Sequence, residues 1–449
     1  MTAQDNPRSP IDTIIHANWI IPVIPRNTVL KYHAVAIDRG EIKAILPASE
    51  IDQLFEARKV YRLGEQALLP GLINSHGHAA MSLFRGMADD LPLQNWLNDH
   101  IWPTEQQWVS EEFVRDGNEL SIAEMLLSGT TFSSDMYFFP DVFAQVSQQM
   151  GIRSQVCFPV MDFPTIWARD PDEYIHKGLQ LQDDYRGSKI VNIAFGPHAP
   201  YTVSDAPLQR IAMLSEELEI PVHTHLHETR QEIQDSLKQY GKRPIKRLAD
   251  LGLLSPALQA VHATHLNEED IRLLKKANAH VIHCPESNMK LASGFCPTLT
   301  LQEAGINIAL GTDGCASNND LDLFGEMRSA AMVAKANSGN AAAITDHDAL
   351  EMATINGAKS MGLEDKLGSI EPGKWADLIA INLDTVFQQP IYNPVSQLIY
   401  TNSASQLTHS WIGGKVIVED SRLNTADTTE IIHKAKQWRD KITHKESLD

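Results

Sequence analysis

Eight short apolar runs, each followed by a longer polar-apolar stretch, fill the middle of this chain: "LPGLINSH", "GTTFSSDM", "IRSQVCFPV", "KIVNIAFGP", "IPVHTHLH", "LQAVHATH", "AHVIHCP" and "INIALGTD". Runs of this length read as buried strands. The segments between them, such as "SEEFVRDGNELSIAEMLLSG" and "NEEDIRLLKKANA", have helical periodicity. Eight strand–helix units over about 250 residues predict a (β/α)8 TIM-like barrel. An open doubly wound sheet is the rival. It wants a Gly-rich phosphate turn after its first strand, and "INSHGHAAMS" does not supply one.

The two ends of the chain have a different character. "DTIIHANWIIPVIP" and "AVAIDRGEIKAIL" read as strands with a hairpin turn, and so do "GSIEPGKWADLIAINL" and "SWIGGKVIVED". They are expected to pair into a small β-sandwich domain with the barrel inserted between its halves. The expected division is 1–65 for the N-terminal part, 66–365 for the barrel, and 366–449 for the C-terminal part plus a terminal helix. The first ten residues, polar with two prolines, are expected to form a loose arm.

Charge narrows the partners. The 38 Lys and Arg against 57 Asp and Glu give a net charge of -19, which repels phosphate backbones and anionic lipids. The expected partners are a small molecule and further copies of the chain, as a dimer or tetramer, with no nucleic acid and no membrane. The four cysteines form no C-x-x-C pair, and the N-terminal segment lacks a secretory pattern. A cytoplasmic location is therefore expected.

Barrel chemistry sits at the C-terminal ends of the strands. Those ends carry His76 and His78; His198; His223, His225, His227 and Glu228; His262 and His265; His283; and Asp313. On a strand, residues i and i+2 face the same way. His76 and His78 can then face one point, as a transition metal requires. One H-x-H pair is common and means little alone. A whole set converging on one mouth calls for a metal and proton chemistry.

The segments "LPGLINSHGHAAM", "HTHLHET", "VHATHL", "LGTDGCASNNDLDLF" and "GSIEPGKWADL" resemble the amidohydrolase superfamily. Within it, "SSDMYFFP", "IWPTE", "FGPHAPYTVS" and "HCPESNMKLASG" are most similar to the 5'-methylthioadenosine/S-adenosylhomocysteine deaminases. The resemblance implies metal-dependent hydrolysis of the adenine amino group of thioether nucleosides, giving the inosine analogue and ammonia. 5'-Methylthioadenosine is the first candidate substrate, ahead of S-adenosylhomocysteine and adenosine. A guanine deaminase or triazine hydrolase shares several of these motifs and is the alternative. A non-catalytic binding protein on the same fold is the remote one.

Carried over by motif, the resemblance makes His76, His78, His225 and Asp313 the ligands of one divalent metal ion, with zinc as the default. His225 is chosen over His223 and His227 because it lies three residues before Glu228. The latter two are expected to be supporting residues. No lysine ends the fourth strand, which favours a single ion. Asp313 is expected to take the proton of the attacking water, His262 to stabilise the attacking oxygen, and Glu228 to protonate the ring nitrogen. A carboxylate at a helix start would explain Glu228 equally well. For substrate, the resemblance offers Glu105 for the ribose hydroxyls and His198 for the purine or ribose. Trp96 and Trp102 are expected in a lid, Ser287 and Asn288 at the rim. Arg169 is the one arginine available for an amino-acid carboxylate.

Overall fold

The computed structural model describes residues 8–91 and 93–446. Eight parallel strands follow the eight apolar runs: β1 Leu72–Gly77, β2 Thr130–Asp135, β3 Arg153–Val160, β4 Val191–Pro197, β5 Val222–Leu226, β6 Leu258–His262, β7 His280–His283 and β8 Ile308–Leu310. They lie side by side in chain order. The Asp313 amide donates to the His76 carbonyl at 3.1 Å, which brings the end of β8 back to β1. That approach needs a glycine, because a Cβ at Gly311 would sit 2.7 Å from the Cβ of His76. The chain therefore folds as a nearly closed (β/α)8 barrel.

The helices between the strands start and stop where local chemistry dictates. Ser110 caps Glu111–Ser128 by accepting from the Phe113 amide, and Gly129 ends it in the left-handed conformation. Asn267 and Asp270 form a reciprocal capping box on Glu268–Ala277.

Both ends of the chain build one nine-stranded mixed sheet. Ser9–Ile20 pairs antiparallel with Leu30–Asp38 and parallel with Phe55–Arg62 and Gln66–Pro70. Gln66–Pro70 in turn pairs with Leu378–Asn382, which leads to Leu407–Ile412 and Lys415–Glu419. The expected division at 65/66 therefore falls ahead of the change of sheet, since Gln66–Pro70 belongs to the terminal sheet. Of the expected N-terminal arm, residues 1–7 lie outside the described residues, while Ser9 and Pro10 already belong to a strand.

A bidentate ion pair joins the two sheets. Arg153, at the start of β3, reaches Asp377 through Nε at 2.6 Å and a terminal nitrogen at 3.0 Å, and both residues are buried. The terminal helix Thr428–Glu446 packs on Glu111–Ser128 through Trp438, which meets Phe113 edge-on and donates to Asp116 at 2.8 Å. Among the described residues no helix is long and apolar enough to cross a membrane.

Barrel interiors are usually filled by bulky branched apolar side chains. This one holds buried Asn74, Gln155, His223, Gln259 and Thr312 beneath the mouth. Such a layer is costly unless every polar group finds a partner. Asn74 meets that demand by bridging β1 and β8, donating to Thr312 Oγ1 at 2.8 Å and accepting from the Thr312 amide at 3.0 Å.

Candidate active site

His76 and His78 leave β1, His225 leaves β5, and Asp313 follows β8. Their donor atoms converge at the mouth. The imidazole nitrogens of His76, His78 and His225 can be chosen within 4.8 Å of one another, and so can donor atoms of His76, His262 and Asp313. Asp313 Oδ1 lies 3.4 Å from His76 Nε2 and 3.2 Å from His78 Nε2. His225 Nε2 lies 3.3 Å from His78 Nε2.

Each ring is turned by the partner of its other nitrogen. Nδ1 of His78 donates to the Met136 carbonyl at 2.6 Å, and Nδ1 of His225 to the His198 carbonyl at 2.7 Å. Nδ1 of His76 contacts Nε2 of His223 at 2.8 Å. All three Nε2 atoms therefore face the same space. Burial holds His76 and His225 well below the ordinary histidine range, so both are neutral. Buried His76 Nε2 has no hydrogen-bond partner. An orphaned lone pair beside two convergent imidazoles and a carboxylate fits a divalent metal with nitrogen and oxygen donors.

The neighbouring groups suit proton transfer. His262 Nδ1 contacts Asn288 Oδ1 at 2.9 Å, leaving Nε2 toward the mouth, 3.9 Å from Glu228 Oε2. Burial pushes the Glu228 carboxyl up, and the charge of Asp313 adds to this. Glu228 sits just ahead of the helix Arg230–Tyr240, and its amide donates to Glu232 at 2.7 Å. Thr229 caps that helix by accepting from the Glu232 amide, which leaves the Glu228 side chain to the cavity. His262 and Asp313 both have left-handed backbone, with φ of 74° and 63°, a conformation that functional sites often hold.

The mouth opens into a cavity of about 650 Å³ whose lining includes His78, His198, His225, Glu228, His262 and Asp313. Its lining also includes Glu105, Trp96, Trp102 and Tyr137. The segment after β1 contributes to this lining as short helical pieces, Leu93–Asn95, Trp96–Ile101 and Trp102–Trp108. Tyr137 Oη donates to Glu105 Oε1 at 2.6 Å. Met81, Met161, Phe163 and Ile166 are among its apolar lining residues. His198, at about 4 because it is buried, is neutral and contacts Thr202.

Two expectations are revised, and one residue comes unannounced. Arg169 does not line the cavity. Its side chain is 80% exposed and paired with Asp170 at 3.1 Å and Glu173 at 3.5 Å, at the start of its own helix. Ser287 and Asn288 are not rim contacts but buried supports, since Ser287 donates to Asp313 Oδ2 at 2.7 Å and Asn288 holds His262. Tyr137 was not expected at all, although its place just past the end of β2, in "DMYFFP", puts it at the mouth by the same strand-end rule.

Comparison with known proteins agrees with this geometry. The amidohydrolase family matches residues 67–417. A Teredinibacter turnerae protein named 5-methylthioadenosine/S-adenosylhomocysteine deaminase is 54% identical over 432 residues, covering 96% of this chain and 98% of its own. A zinc-bound crystal structure of an adenosine deaminase from Xanthomonas campestris superposes with a TM-score of 0.97 at 47% identity, over 98% of this chain and 100% of that one. An atrazine chlorohydrolase from Arthrobacter aurescens shares the fold, with a TM-score of 0.89 at 24% identity over 95% of this chain and 99% of that one. The chain belongs to the amidohydrolase family. It is a hydrolase acting on C–N bonds, and within the family it resembles the 5-methylthioadenosine/S-adenosylhomocysteine deaminases.

Proposed function

We propose that this chain is a metal-dependent deaminase of adenosine-type nucleosides carrying a neutral 5'-thioether, with 5'-methylthioadenosine as its best substrate. One observation carries the reading. A single cavity is lined by the histidine–aspartate cluster, Glu228 and Glu105, most of its other lining residues are apolar, and among the described residues no lysine or arginine lines it. An adenine ring at the cluster places its ribose toward Glu105 and its 5' substituent among Met161, Phe163 and Ile166.

His76, His78, His225 and Asp313 are the residues that would hold one divalent cation, zinc by preference. The zinc in the Xanthomonas campestris neighbour and the sharing of His76 between both candidate donor groups support this choice. When bound, such a cation supplies water acidic enough to react near neutral pH. Asp313 accepts the proton of the attacking water, while Ser287 fixes its other oxygen. His262, held by Asn288, hydrogen-bonds the attacking oxygen as charge develops there. Glu228, whose carboxyl burial pushes up, gives its proton to the ring nitrogen beside the attacked carbon. The C–N bond then breaks, ammonia leaves with a proton returned through these carboxylates, and the ring carbonyl remains. His198 contacts the purine or ribose, and Glu105 accepts hydrogen bonds from the ribose hydroxyls.

S-Adenosylhomocysteine would bring an amino-acid carboxylate into a cavity that among the described residues offers it no lysine or arginine, so its desolvation goes uncompensated. Ammonia release and zinc content, measured over 5'-methylthioadenosine, S-adenosylhomocysteine, adenosine, guanine and a chlorotriazine, test the reading. The expected result is the highest kcat/KM for 5'-methylthioadenosine, with S-adenosylhomocysteine lower by about tenfold or more, or 1.4 kcal/mol. Turnover confined to guanine or the triazine would overturn it. The reading is completed by a homo-oligomer, dimer or tetramer, in the cytoplasm, checked by light scattering and fractionation.

A further inference from the structure

The polar layer beneath the mouth forms a directed chain of hydrogen bonds. It begins at the Ser360 carbonyl, which can only accept, and Gln259 Nε2 donates to it at 2.6 Å. This fixes which way the Gln259 amide points. Its oxygen then faces His223 Nδ1 at 2.7 Å, and Gln155 Nε2 donates to the same oxygen at 2.8 Å. An amide oxygen has no proton to give, so His223 must carry its proton on Nδ1. His223 Nε2 is thereby left as a lone pair, 2.8 Å from His76 Nδ1. His76 must in turn carry its proton on Nδ1, and its Nε2 lone pair points into the cluster. His76, His223, Gln259 and Gln155 are all at most 1% exposed, so water cannot substitute at any step.

We infer that Gln259 and His223 are positioning residues that set the tautomer of His76, and so decide whether that ring can ligate a metal. Were the relay reversed, His223 would donate from Nε2 and His76 would present an N–H to the cluster, which cannot bind a cation. His78 and His225 need no such device, because each donates directly to a backbone carbonyl. His76 is fully buried, and among the described residues its Nδ1 meets His223 rather than a backbone carbonyl. Residues that orient a ligand from behind typically contribute about 10–100-fold in metal affinity. The inference rests on the reading of His76 as a metal ligand.

The test is zinc affinity of the full-length protein, measured by competition with a chromophoric chelator. Gln259→Met keeps the volume but removes the acceptor, and should weaken zinc binding by about 10–100-fold, as should His223→Phe. The double variant should lose no more than His223→Phe alone, because the two residues act in series. Gln155→Met disturbs the same layer without removing the acceptor facing His223, and should bind zinc within about threefold of the parent, well short of that loss. In the zinc-loaded parent, the nitrogen NMR shifts of His223 should show a protonated Nδ1 and an unprotonated Nε2, a measurement that does not depend on any variant folding. The relay is overturned if Gln259→Met binds zinc as tightly as the parent, if Gln155→Met loses as much, or if the two nitrogens are reversed. A parent that takes up no zinc would sink the metal reading and the relay with it. A parent that binds zinc alongside an unaffected Gln259→Met sinks the relay alone.

Discussion

Tyr137 donates a 2.6 Å hydrogen bond to Glu105, joining the end of β2 to the helix that covers the cavity, 32 residues away in sequence. Burial lifts the Glu105 carboxyl to about 7, and the Tyr137 hydrogen bond opposes that rise. A carboxylate half-protonated near neutrality should make nucleoside binding depend on pH. As pH falls through about 7, Glu105 loses acceptor capacity, and KM for nucleosides should rise. Tyr137→Phe removes the group that favours the charged form, so the same rise should begin at higher pH. Profiles of KM against pH for the two proteins check this, and an unshifted acid limb in Tyr137→Phe would show that the pair does not control binding.

The same shift predicts a stability effect. Between the unfolded value near 4.5 and the folded value of about 7, the folded state holds more proton on Glu105 than the unfolded state does. Stability should therefore fall as pH rises through that window and stay reduced above it. Glu105→Gln removes this penalty. It should be more stable than the parent at pH 8, by on the order of 1 kcal/mol after allowing for solvent screening of a partly exposed group, with the gap narrowing toward pH 5. Denaturant unfolding at the two pH values is the measurement.

Glu105→Ala should cost a few kcal/mol in kcat/KM for nucleosides, as when charged hydrogen bonds are lost. The weak turnover of free adenine, which has no ribose to offer, should barely change. Equal losses on both substrates would leave Glu105 as only a first-turn residue of the helix Trp102–Trp108.

Asp313→Asn should keep the fold and much of the metal, yet lose nearly all turnover, because an amide cannot take a proton from water. Near-normal kcat in a zinc-loaded Asp313→Asn protein would remove aspartate from the chemistry.

Glu228→Gln should bind substrate with little change in KM, while kcat drops by about 10²–10⁴-fold. The helix that follows it is capped by Thr229, so thermal stability should hold. A change in KM with kcat intact would contradict the proton-donor role.

How much of this was legible beforehand follows from the range of the forces involved. The barrel could be read from the chain because strand and helix periodicities are local, and eight alternations admit few architectures. The facing of His76 with His78, and the gathering of chemistry at strand ends, follow from the same two-residue pleat. The terminal sheet was legible only as a possibility, since nothing local says that Gln66–Pro70 pairs with Leu378–Asn382, some 310 residues on. Side-chain partnership across the barrel was beyond local pattern altogether. Ser287 and Asn288 looked like rim residues until the short helix after β7, Pro285–Lys290, buried them against Asp313 and His262. Arg169 looked available until its own helix start bound it. The tautomer of His76 depends on Ser360, contributed by the helix Ile355–Ser360 after the last barrel strand. Sequence alone determined which backbone would form and which residues would stand at its mouth. Tertiary packing decided where each proton sits, because a hydrogen bond is set by distance and direction between groups that only the closed barrel brings together.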